Sequence, residues 1–308
     1  MNQQIHRAKF QAARLSITSN TILTGGKLAA GLYMGSISVI SEALHSSLDL
    51  LAAIIAYLAV RQSARPADKE HHYGHGKFEN LASITEALLI FAAAALIIYH
   101  SIPRLLHRQF VVEALDWGIL VMSLSAAVNW FISSHLLRVA RLSDSPALKA
   151  DAMHLRTDVY TSLGVLAGIG GIRITGWYWM DPAIAIVVAL MIIRAAWELA
   201  GESLRSMLDQ SLPAGEEELI CQVLQKHSSS YVAYQNLRTR KAGPYRYIDL
   251  QLVVPARLTT AQAHAICDAI EQDLQNQLQN PDIIIHVEPC TADCQQCPIC
   301  PVRPEEKT

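Results

Sequence analysis

ALLIFAAAALIIY, residues 87–99, carries no charged side chain. Extended to 80–102, the stretch is long enough to cross a bilayer, which takes about 20 mainly apolar residues at about 1.5 Å each. Five more stretches reach that length: 12–34, 38–61, 112–137, 147–170 and 178–200. The last contains PAIAIVVALMIIRAAW, residues 182–197, with Arg194 near its end. From about Asp209 the pattern turns alternating and amphipathic with frequent charge, so a soluble domain begins there.

The whole-chain averages agree with this division. Of 308 residues, 51% are apolar and only 17% charged, against about 25% charged in ordinary soluble proteins; the mean hydropathy is +0.22. A net charge of −2 argues against a nucleic-acid partner. Abundant aliphatic residues exclude disorder for most of the chain. Six cysteines in so long a chain do not make a disulfide framework. Met1–Arg14 is polar and basic, and the apolar run after it is too long for a cleavable signal peptide. Arg7, Lys9, Arg14, Arg61, Arg65, Lys69, Lys77, Arg138, Arg141 and Lys149 fall on one side of the spans, and Arg104, Arg108 and Arg173 on the other. The positive-inside rule then predicts a multi-pass inner (plasma) membrane protein with both termini cytoplasmic.

In the soluble part, Glu216–Lys226 reads as an amphipathic helix. Leu237–Lys241 and Tyr245–Val254 read as strands around Ala242-Gly243-Pro244. Thr259–Leu278 is a helix opened by a Thr cap, and Ile283–Val287 a short strand. The expected architecture is an α-helical membrane domain of six transmembrane helices over 1–208, an αββαβ cytoplasmic α+β domain over 209–289, and a Cys-rich tail over 290–308.

Ionisable residues inside spans are expensive and each begins as a functional-site hypothesis. The second span carries His45 and Asp49, the fifth His154 and Asp158. Four residues advance about 400° around a helix, so each pair projects from one face. Facing one another, the two helices would present a complete tetrahedral N/O set for Zn²⁺. The plainer alternative is an intrahelical His–Asp hydrogen bond, but the same HxxxD twice, in the two less apolar spans, favours the metal. Four protein ligands leave no open position for a metal-bound hydroxide, so binding and release fit better than hydrolysis. Ligation needs neutral His, which makes exchange of metal for protons chemically natural.

SEALHSSLDL (41–50) and KADAMHLRTDVYTS (149–162) resemble the paired metal motifs of the cation diffusion facilitator family. PADKEHHYGHGKFEN (66–80), LRTRKAG (237–243), IDLQLVV (248–254) and IHVEP (285–289) extend the likeness over nearly the whole chain, with bacterial zinc and ferrous-iron efflux members as the best match. The resemblance implies a six-helix membrane domain and a ferredoxin-like cytoplasmic domain that dimerises and senses metal. It further implies a homodimer that is not an enzyme, exporting divalent metal against inward proton flow by alternating access. The transport site it implies is His45, Asp49, His154 and Asp158. Efflux-type relatives have Asp at the position of His45, and the His form favours Zn²⁺ as cargo, with Cd²⁺, Fe²⁺ and Co²⁺ still open.

A second family site falls on Asp68, His71 and His75, with His72 as an extra candidate; the alternative is a solvated polar turn. In the cytoplasmic domain His264, His286 and Glu288 stand at family metal positions. Gln235 and Gln251 replace ligating His there, which leaves one bound Zn²⁺, or a domain that dimerises without metal. Cys290, Cys294, Cys297 and Cys300 could close a Cys₄ site or form a flexible scavenging tail. A membrane metalloenzyme or a membrane metal sensor is the competing reading. The first needs more His or an HExxH helix, neither of which is present.

Overall fold

The structure, a computed structural model, describes residues 2–34, 37–107, 116–177 and 179–290. The chain divides into two compact units, Met1–Arg205 and Ser206–Thr308.

The first unit is helical: α1 (Asn2–Met34), α2 (Ile37–Ser63), α3 (Lys77–His107), α4 (Asp116–Ser143), α5 (Pro146–Thr175) and α6 (Met180–Met207). Its packing inverts the soluble pattern. Alanines line the helix contacts, with Ala12, Ala52, Ala53, Ala87, Ala94, Ala147, Ala150, Ala152 and Ala189 fully buried, while Leu88 is 61% exposed, Trp197 72% and Phe131 74%. Small residues let backbones approach where lipid removes the hydrophobic drive between helices, and large apolar side chains turn outward. Gly164 is one such contact: a Cβ there would lie 2.9 Å from Val188 Cγ2, so α5 and α6 need glycine at this point. By length and apolarity alone, α3 and α6 qualify as spans among the described residues. Buried polar groups occur in every one of these helices, from Lys9 and Lys27 in α1 to Ser203 in α6.

Those polar groups are mostly partnered. Lys9 of α1 pairs with Glu79 of α3 in full burial, and Ser145, before α5, donates to the same carboxylate. Lys27 donates to Ser46 Oγ at 2.8 Å, joining α1 to α2. Ser203 donates to Ser83 at 2.7 Å, joining α6 to α3. α2 also packs against α5 and α3, and this brings the two HxxxD helices side by side.

The second unit follows the order α7 (Ala214–Lys226), β1 (Ala233–Ala242), β2 (Tyr245–Val254), α8 (Thr260–Gln277) and β3 (Pro281–Pro289). The sheet order is β1-β2-β3, antiparallel then parallel. A parallel neighbour requires a crossover, which α8 supplies. Thr259 caps α8 in a reciprocal box with Gln262. Ile220, Val223 and Leu224 of α7 and Ala263, Cys267, Ile270 and Leu274 of α8 pack on Ile248, Leu250, Leu252 and Val254 of β2. Both helices therefore cover one face, as the αββαβ reading expects. Buried Arg246 ties β2 to α7 through a two-pronged pair with Glu216, both contacts 2.7 Å. β1 begins four residues before the predicted Leu237. The register shifts between Gln235 and Arg238, where Asn236 takes φ 52°, so the bulge hides the alternation from the sequence. Cys267 is a buried apolar neighbour, whereas Cys221 is exposed beside Tyr234.

Candidate metal centre

Asp49 of α2 and His154 and Asp158 of α5 present one ligand atom each, all within 4.8 Å of one another. His154 Nε2 lies 3.2 Å from Asp49 Oδ1, across two helices rather than within one. The intrahelical pairing that was the plain alternative for each HxxxD is therefore not the contact His154 makes through Nε2. Asp49 and His154 are both buried. Their neighbours in sequence Leu155 and Val159 of α5 and Ala52 and Ala53 of α2 are buried as well, and Asp158 is half-buried. His45 lies on α2 one turn before Asp49, but its side chain falls outside the described residues.

Two carboxylates and one imidazole, drawn together from two helices, are a costly set to bury. A divalent ion bound there would offset the repulsion between the carboxylates. His154 Nδ1 is buried with no hydrogen-bond partner among the described residues.

One further pair was only partly legible. Glu86 of α3 and Asp151 of α5 are fully buried, and none of their four carboxylate oxygens has a hydrogen-bond partner among the described residues. Ser16 of α1, itself fully buried, stands near Asp151 outside hydrogen-bond geometry. Glu86 is visible in the sequence as an acid inside an apolar span. Asp151 is masked by its place in the motif, although its spacing of three from His154 puts it on the same helical face.

The loop after α2 forms a second group. Asp68, His71 and His75 also bring ligand atoms within 4.8 Å. Asp68 Oδ1 accepts the backbone N–H of Glu70 at 2.9 Å and of His71 at 2.8 Å. These two N–H groups hold its carboxyl below the usual carboxylate range. His75 Nε2 lies 3.4 Å from Asp68 Oδ2, and His71 Nδ1 3.5 Å from Oδ1. Gly74, at φ 75°, lies in the turn between the two rings, whose centroids are 4.5 Å apart with their planes tilted by 40°. Asp68 and His71 are exposed and His75 is buried; His72 is exposed and outside the group.

The cytoplasmic candidates do not converge within one chain. His264 stands on α8, in the helical layer, 3.5 Å from Asp268 of the same helix. His286 and Glu288 lie 3.7 Å apart on β3, at positions alternating with Ile285 and Val287, which pack on the helices, so both face away from that layer. Gln251 sits beside His286 in register, opposite Gln235, and its amide oxygen accepts from Asn236 at 2.6 Å. Cys290 accepts from the backbone N–H of Ala256 at 3.4 Å. Cys294, Cys297 and Cys300 lie outside the described residues.

The comparisons with known proteins agree with this organisation. The cation efflux transmembrane domain matches residues 13–208, and the cytoplasmic domain of cation efflux proteins matches 212–290. An uncharacterized transporter of Synechocystis sp. is 36% identical over 90% of this chain and 89% of its own. The cation-efflux pump FieF of Shigella boydii is 30% identical over 94% of this chain and 96% of its own. A solved chain of CzrB, described as a candidate zinc transporter, is 33% identical over 26% of this chain and 99% of its own, with a TM-score of 0.25. Family and architecture together make this a multi-pass membrane protein with a C-terminal cytoplasmic domain, a transporter rather than an enzyme. The chain belongs to the cation efflux, or cation diffusion facilitator, family of metal transporters.

Proposed function

We propose that this protein exports Zn²⁺ from the cytoplasm in exchange for protons, by alternating access of one buried site to the two sides of the membrane. The observation that carries the reading is the convergence of Asp49, His154 and Asp158 from two buried helices. In this reading His45, one turn before Asp49, supplies the fourth ligand. The resulting N₂O₂ set suits Zn²⁺ better than harder ions. Zinc arriving at imidazole and carboxylate displaces protons, and protons arriving from outside release zinc, so the two ions compete for the same atoms.

The rest of the assignment follows from that site. The six helices of the first unit each span the inner membrane, with both termini cytoplasmic, and residues 1–208 form the transport domain. Residues 209–289 form a ferredoxin-like domain that holds two copies together and senses zinc through His264, His286 and Glu288. Because these ligands lie on opposite sides of one sheet, a shared ion there needs a second copy. Asp68, His71 and His75 form a cytoplasmic delivery site, and the cysteines of 290–308 add a thiolate zinc site.

The test is flux. Purified protein in vesicles with an internal zinc dye should accumulate zinc when the pH gradient is imposed in the exchange direction. Zinc entry that ignores the gradient would remove the antiport reading. Wild-type flux surviving in Asp49→Ala or Asp158→Ala would remove the site.

A further inference from the structure

Near the end of α4, Arg138 and Arg141 line a pocket of about 370 Å³ together with Arg156 of α5; Ser134, Leu137 and Leu142 complete its wall. Among the described residues no carboxylate lines it. Three arginines on one pocket, Arg138 and Arg141 exposed and Arg156 half-buried, make it positively charged and favour an anion there. Arg156 is the most constrained of the three. Its guanidinium sits 5.5 Å from the centre of the Trp130 ring, and its Nε is buried with no hydrogen-bond partner among the described residues. An arginine ten residues into a membrane helix is expensive to place, and such residues reach toward a cavity or the interface. Arg138 and Arg141 lie in the last two turns of α4, which ends at Ser143, so the pocket opens at the end of the span. The surface beside it is apolar and exposed: Trp130 45%, Phe131 74% and Leu142 61%.

We infer that this pocket binds the headgroup of an anionic phospholipid. A phosphodiester accepts from two guanidinium forks at once. The acyl chains then lie along Trp130 and Phe131, about two turns of α4 toward the membrane interior from Arg138. A free phosphate would satisfy the arginines and leave that apolar surface unused. Basic pockets between membrane helices on the cytoplasmic side suit acidic headgroups in this way. The inference rests on the orientation proposed above. Its test needs no zinc flux, so the two readings fail separately.

The experiment is a binding titration on the full chain in neutral detergent, read by thermal unfolding. Short-chain phosphatidylglycerol, phosphatidylcholine of the same chain length and inorganic phosphate are the three probes. Phosphatidylglycerol should stabilise the protein saturably, and the other two should not. Arg156→Gln should weaken phosphatidylglycerol binding about five-fold, and the triple change with Arg138→Gln and Arg141→Gln about a hundred-fold. Arg61→Gln with Arg65→Gln, exposed arginines elsewhere, should leave it unchanged. The single Arg156→Gln variant, with a wild-type midpoint without lipid, guards against misfolding of the triple. Undiminished binding in Arg156→Gln and the triple variant would overturn the inference. So would equal weakening in the control pair, or equal stabilisation by phosphatidylcholine or phosphate alone.

Discussion

His154 in the membrane unit and His264 in the cytoplasmic unit are both metal-ligand candidates, held in opposite ways. The His154 side chain is 10% exposed and lies 3.2 Å from a carboxylate on another helix. The His264 side chain is 74% exposed and lies 3.5 Å from Asp268 one turn away on its own helix. Burial makes the first arrangement costly when empty and rewarding when a cation enters, because charges interact far more strongly out of water. An exposed imidazole bears neither cost nor reward, and its partners must be brought to it. The membrane ligands are brought together by one chain's packing, whereas His264 and His286 of one chain stand on different layers of the cytoplasmic unit.

The largest effect should separate the two sets outright. Asp158→Ala or Asp49→Ala should lower the zinc affinity of the tightest site in the full chain by about a hundred-fold or more. His264→Ala with His286→Ala should leave that affinity within about three-fold. Calorimetric titration in detergent reads both, and equal losses would erase the distinction.

Next in size is the scaffold. Removing Lys9 leaves Glu79 buried without its cation, and Lys9→Ala should destabilise the membrane unit by about 3–5 kcal/mol. Lys9→Met combined with Glu79→Leu should recover most of that loss, as measured by thermal unfolding in detergent. A single substitution no worse than the double would show that the pair does not organise α1 against α3.

The loop should fall between the extremes, since Asp68 and His71 are exposed and His75 is not. Asp68→Asn should weaken Cd²⁺ binding at the loop about ten-fold and leave the membrane site untouched. Cadmium titration with Asp158→Ala as background isolates that signal.

The smallest effect concerns an exposed ion pair in the cytoplasmic unit. Lys226 at 2.7 Å and His227 at 2.8 Å hold the Asp273 carboxyl below its usual value. A depressed carboxylate contributes stability above its unfolded value, near 3.8, and loses it as pH falls through the lower folded value. Hydrogen exchange of the sheet amides between pH 4 and pH 2 should therefore depend on pH less steeply in Lys226→Ala. An unchanged slope would remove the pair from the acid response.

The repeated HxxxD was legible because helical periodicity alone puts both members on one face, and two less apolar spans pointed to each other. The second unit was legible from alternation in β2 and the Thr cap of α8. β1 was shortened because Asn236 breaks its alternation at the bulge. The Lys9–Glu79–Ser145 cluster joins residues about 70 positions apart, and no local pattern announces a tertiary contact. Asp151 escaped for the same reason, its importance resting on Glu86 of another helix. The dispersal of His264 from His286 follows from which sheet face each occupies, which the motif does not state.

The most direct measurement of the central claim is zinc K-edge X-ray absorption on the full chain carrying Asp68→Ala, His75→Ala, His264→Ala, His286→Ala and Ser at Cys290, Cys294, Cys297 and Cys300. The account predicts one tightly held zinc with two nitrogen and two oxygen neighbours at about 2.0–2.2 Å, lost on Asp158→Ala. A zinc whose coordination shell survives Asp158→Ala, or no tightly bound zinc at all, would contradict it.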